Sequence, residues 1–141
     1  MNILVVALNF SPEIVGCAKF TTEFVNWFSK KTNRVIVITT NPFYPQWKCE
    51  INRYNKTLKG NIEIIRCPIY IPNKVNGLKR IIHYLSFSIS SMPLILYFGL
   101  KDIDLAFTMC PTILAAPNLL LISFLKKIFS KKKLVTWIHF A

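Results

Sequence analysis

Residues 3–19 read ILVVALNFSPEIVGCAK, and this stretch decides the fold. Residues 3–10 are a continuous apolar run closed by Asn9 and Phe10. A strand that is apolar on both faces belongs in the middle of a parallel sheet. Residues 11–17 then bring Pro12 and Gly16, the marks of a loop. A helix follows over residues 18–31, with Phe20, Phe24, Trp27 and Phe28 on one face and Thr22, Asn26, Ser29 and Lys30 on the other. Strand, loop and helix in that order start a βαβ unit, which crosses over right-handed.

Working outward, residues 34–40 (RVIVITT) are β-branched and predict the second strand. Residues 41–58 are polar, aromatic and proline-bearing and read as one long loop. Residues 62–67 predict a third strand, closed by Pro68, and residues 70–77 another loop. A long helix is expected over 78–100, bent or broken at Pro93. A short strand over 104–109 leads to a helix within 111–130, with Pro117 near its start, and to a last strand over 134–139. About five strands alternating with helices predict an α/β fold, Rossmann-like: a doubly wound, mostly parallel sheet with helices on both faces.

The 141 residues suit one domain, and 52% hydrophobic content with 17% charged residues excludes disorder. Lys and Arg number 18 against 6 Asp and Glu, a net charge of +12. That excess attracts anions such as phosphate-bearing substrates or an acidic membrane surface, or it serves solubility alone. The basic residues are not interleaved with aromatics as in a recognition motif, so nucleic acid is not an expected partner. Cys17, Cys49, Cys67 and Cys110 form no CxxC pair, and neither His83 nor His139 lies at metal-ligand spacing from them. Scattered reduced thiols and no metal site are expected, together with a cytoplasmic location. Residues 81–100 approach the length of a membrane span but carry His83, four serines and Pro93. A weakly polar stripe through His83, Ser86 and Ser90 favours a helix packed on protein, with a membrane hairpin as the alternative.

In an open parallel sheet, ligands bind beyond the carboxyl ends of the strands. The loop 11–19 enters a helix N-terminus, whose free N–H groups favour an anion. Gly16 either lets a ligand approach the backbone or simply makes the turn, and Glu13 and Lys19 either meet that ligand or lie on the surface. In the loop after the second strand, Tyr44 and Trp47 either stack on a sugar or lipid surface or tuck onto the domain. His139, at the end of the last strand, is the candidate catalytic or hydroxyl-positioning histidine, whereas His83 reads as structural. Covalent hydrolase chemistry has no nucleophile–base constellation to support it.

Several segments together resemble a known family. Asn9-Phe10-Ser11-Pro12-Glu13 with Gly16-Cys17-Ala18-Lys19-Phe20-Thr21 looks like the opening of the N-terminal domain of family 4 glycosyltransferases of the GT-B fold, more narrowly the WcaI-like colanic-acid enzymes. Pro42-Phe43-Tyr44-Pro45-Gln46-Trp47, Arg66-Cys67-Pro68-Ile69-Tyr70-Ile71-Pro72, Gly77-Leu78-Lys79-Arg80, Leu85-Ser86-Phe87 and Trp137-Ile138-His139 fit the same pattern in order. The resemblance implies retaining transfer from a nucleotide sugar, a substrate and not a cofactor, to a lipid-linked or polysaccharide acceptor in envelope, capsule or exopolysaccharide synthesis. It implies no bound metal, and an acceptor-side role for residues 1–141. Gly16, Tyr44 and Trp47 would line the cleft, and His139 would stand near the transferred sugar. The family continues past its strand-end histidine into a donor-binding domain, whereas here Phe140-Ala141 follow. The expectation is therefore an acceptor-side domain that is incomplete alone, either a truncated product or one half of a split enzyme whose C-terminal domain is a separate chain. It would be peripheral at the inner face of the cell membrane, touching lipid through Lys74, Lys79, Arg80 and the apolar helix after them. A stand-alone module binding a phosphorylated or lipid-linked sugar is the alternative.

Overall fold

The computed structural model describes residues 1–14, 16–110, 116–129 and 135–140, with the backbone alone for Cys110 and 137–140. In chain order the elements are β1 (Asn2–Ala7), α1 (Cys17–Ser29), β2 (Arg34–Thr40), β3 (Asn55–Lys59), β4 (Ile62–Cys67), α2 (Gly77–Gly99), β5 (Leu105–Cys110), α3 (Ala116–Phe129) and β6 (Val135–Phe140). The strands form one sheet in the order β3-β4-β2-β1-β5-β6. β1 lies between β2 and β5, parallel to both, in the register Ile3↔Val35 and Ile3↔Leu105. β4 and β6 extend the parallel array on either side. The strand order reverses at β1, the switch that places a crevice at the carboxyl edge. The Rossmann-like α/β reading holds.

Alternation along β1 divides the core. Leu4, Val6 and Leu8 pack with Phe87, Ile95 and Phe98 of α2 and with Leu119 and Ile122 of α3. Ile3 and Val5 pack on the other face with Val25 of α1 and Phe107 of β5. Burying both faces explains the unbroken apolar run of β1. The α1 face differs from the expected aromatic one. Ala18, Thr21 and Val25 are its buried residues, while Phe20 and Trp27 point outward. The small residues bring the helix close to the sheet, and Phe24 stacks on Phe107 at 4.1 Å between ring centroids.

Two further expectations are corrected. Residues 55–59, read as loop, form β3, which pairs antiparallel with β4 across a turn at Gly60, where φ is +61°. β3 is a polar edge strand whose apolar member, Leu58, is exposed, so it carries no burial signature. And α2 continues through Pro93, so the expected break there does not occur. The proline removes one backbone bond, too little to end a helix anchored by Phe87, Ile95 and Phe98. Asn76 starts this helix, its side chain accepting from the Lys79 amide at 2.8 Å. Beyond its far end, the buried Lys126 of α3 donates to the carbonyls of Lys101 and Ile103 at 2.8 and 2.5 Å. α2 is long and apolar enough to cross a membrane, yet it also packs against the sheet.

Candidate functional site

The loops after β1 and β2 are tied to one another at the carboxyl edge of the sheet. Glu13 is almost completely buried, and its Oε1 accepts from the amides of Phe43 and Tyr44 at 2.7 and 2.8 Å. Its Oε2 accepts from Asn9 Nδ2 at 2.8 Å. The hydroxyls of Thr39 and Thr40 donate to the Leu8 carbonyl. Arg66 of β4 donates to the carbonyls of Thr40 and Ser11, joining the ends of both strands. With both oxygens of Glu13 engaged by the protein, the structure places it as a brace under the loops.

The braced loops frame a cavity of about 240 Å³. Leu8 and Asn9 contribute from the end of β1, Gly16 and Cys17 from the start of α1, and Phe43, Tyr44 and Trp47 from the loop after β2. Arg80, His83 and Tyr84 close it from α2. Three of the sequence-predicted residues, Gly16, Tyr44 and Trp47, thus meet in one cavity. Gly16 has φ +60°, a left-handed conformation that favours glycine, and it caps α1 without a side-chain bond. The first turn of α1 carries no acidic residue, so its polarity still favours an anion. Trp47 also lies at positive φ, 54°, an uncommon conformation for a bulky residue and one that its ring contacts help to hold. Its indole packs on Phe43 at 5.5 Å and on His83 at 5.1 Å, and the Arg80 guanidinium lies 5.7 Å from its ring.

Lys19 is not brought to this cavity. It is exposed on α1 and lines a separate hollow with Pro12, Ile14 and Glu23. His139 pairs through its backbone with Met109 at the carboxyl end of β6, and its side chain lies outside the described residues. Sequence reasoning missed His83. It is wholly buried between Phe43, Trp47 and Tyr84, with Nδ1 2.6 Å from the Tyr70 carbonyl. Burial holds its imidazole below the usual histidine range, with the Tyr70 bond working against that. The stripe His83–Ser86–Ser90 was the available signal. It faces the protein: Ser86 accepts from the Tyr70 amide, and the Ser90 carbonyl accepts from Tyr54.

No family model matches the chain. Over 128 residues the chain is 38% identical to the putative colanic acid biosynthesis glycosyl transferase WcaI of Escherichia coli (strain K12). This chain is similar to a WcaI-like glycosyltransferase N-terminal domain. The alignment takes in 87% of the chain but 31% of that relative, so the chain spans about a third of its length. The matched portion embraces most of this chain, which the structure folds as a six-stranded, mostly parallel sheet. Among the described residues, no group of three or more His, Cys, Asp or Glu side chains is placed to hold a metal ion.

Proposed function

We propose that this chain forms the acceptor-side wall of a retaining glycosyltransferase of the GT-B type. In this reading a sugar passes from a nucleotide sugar to a lipid-linked or polysaccharide acceptor during envelope, capsule or exopolysaccharide synthesis. The observation that carries the proposal is the cavity itself. It sets the Tyr44 and Trp47 rings, a free helix N-terminus and Arg80 around one hollow at the carboxyl edge of the sheet. Aromatic faces suit the apolar faces of a pyranose, and the helix end and guanidinium suit its phosphate or other acidic substituents. Similarity to a colanic acid glycosyl transferase supports the same reading.

The donor is then held by protein outside residues 1–141, in the same polypeptide or in a separate chain. The nucleotide sugar is a substrate, and no resident metal or cofactor is invoked. Lys19 and His139 belong to the proposal through the motif resemblance: Lys19 at the cleft rim, His139 beside the transferred sugar. The anionic inner face of the cell membrane is the proposed location, met by the exposed apolar stripe of α2 and its basic flank.

Calorimetric titration of the 141-residue chain tests the acceptor-side assignment. Saccharide acceptors should give heat that saturates, and nucleotide sugars should give none. Saturable binding of a nucleotide sugar with no response to saccharides would reverse the assignment.

A further inference from the structure

Among the described residues, only one nitrogen of His83 has a hydrogen-bond partner. Nδ1 faces the Tyr70 carbonyl, an obligate acceptor, so Nδ1 carries the proton and Nε2 presents a lone pair. Nε2 is buried and has no hydrogen-bond partner among the described residues. Leaving a buried acceptor without a donor is costly, and such an atom in a native protein calls for an explanation. His83 lines the cavity together with Asn9 and Arg80, and its ring is packed against the aromatic rings of Phe43, Trp47 and Tyr84.

We propose that His83 is a specificity-determining residue of this cavity, its Nε2 accepting a hydrogen bond from a hydroxyl of a bound pyranose. This deepens, and rests on, the acceptor-side reading above. Three features select the ligand class. The fixed tautomer makes Nε2 an acceptor, so the partner must donate. Burial, which pushes the imidazole below the usual histidine range, disfavours a charged ring and so weakens attraction for an anion at that point. The indole of Trp47 beside the imidazole offers a flat face on which a sugar ring can lie while one hydroxyl reaches inward. Nε2 is closed to bulk water, so the rings packed around it must shift to seat that hydroxyl, and the neighbouring Trp47 indole senses the same binding event.

The chain has two histidines, so ¹⁵N spectra of the imidazoles are assigned by comparison with His139→Gln. Without ligand, His83 Nε2 should resonate as an unprotonated nitrogen. Titration with a series of methyl pyranosides (gluco, galacto, manno and fuco) to millimolar levels should move that resonance upfield for at least one sugar. The Trp47 indole signal should move on the same curve. The deoxy analogue lacking the bound hydroxyl should bind roughly tenfold more weakly, and His83→Phe should abolish that difference. An indole that responds while Nε2 stays unmoved overturns the role of His83 and leaves the acceptor-side reading intact. Silence of both signals to every pyranoside overturns both. A protonated Nε2 in the free chain overturns the proposal outright. The spectra of the unsubstituted chain decide the matter even if His83→Phe fails to fold.

Discussion

A single carboxylate shows how differently residue type and residue role can read. Glu13 sits in a loop with the look of a ligand contact, but its two oxygens are taken by Phe43, Tyr44 and Asn9. Glu13→Ala should therefore lower the unfolding free energy by about 2–4 kcal/mol, since three hydrogen bonds to one carboxylate are lost inside the protein. Lys19→Ala, at an exposed position, should change it by no more than about 0.5 kcal/mol. Urea denaturation of the two variants checks the contrast, and equal midpoints would contradict the bracing role. Gly16, Tyr44 and Trp47 were legible because glycine and aromatic residues stand out in a loop at a sheet edge. His83 was not, because its meaning depends on which nitrogen meets the Tyr70 carbonyl, a contact between residues thirteen positions apart.

Elements were legible wherever burial is two-sided or helical, and illegible at the polar edge. β1 and β2 declare themselves by continuous apolar runs, whereas β3 is held by its neighbours. Glu63 of β4 pairs with Arg34 of β2 and Lys56 of β3, so one carboxylate joins three strands. Burial pushes its pKa up, but the bonds from Lys56 and Arg34 outweigh burial and hold it below the usual value of 4.5. The folded protein thus binds this proton less readily than the unfolded chain. The resulting stabilisation is full above about pH 4.5 and is lost as pH falls through the lowered value. Glu63→Gln should flatten that part of the acid-denaturation curve, and an unchanged slope would show that the pair contributes nothing. The α2–α3 contact has its own test. A Cβ on Gly99 would lie 2.5 Å from Ile122 Cγ2, in a fully buried position. Gly99→Ala should cost about 1–3 kcal/mol through overpacking, read as a lower thermal midpoint. Restoring space with Ile122→Val in the same chain should recover part of it.

At the scale of the whole molecule, charge and apolar surface are arranged together. α2 has no acidic residue, and Leu78, Ile81, Leu85, Ile89 and Met92 form an exposed stripe along it, with Lys74, Lys79 and Arg80 at its N-terminal end. Under the membrane reading, the chain should float with phosphatidylglycerol vesicles and not with phosphatidylcholine ones. Lys74→Gln with Lys79→Gln should weaken that partition about 30-fold, from roughly 1 kcal/mol per basic residue. Binding indifferent to lipid charge would contradict it. Composition predicts an attraction to anions but says nothing of which side of α2 is exposed, because its outward and inward sides are both apolar in sequence and only the packed structure tells them apart. The sheet order has a consequence in time as well as in space. β1 is the central strand, yet its partner on one side, β5, lies about a hundred residues away, Ile3 opposite Leu105. At roughly 5–20 residues per second of synthesis, several seconds separate the emergence of β2 from that of β5. During that interval one whole edge of the most apolar strand stands open beside the ribosome, and a chaperone that shields it would raise the yield of folded chain.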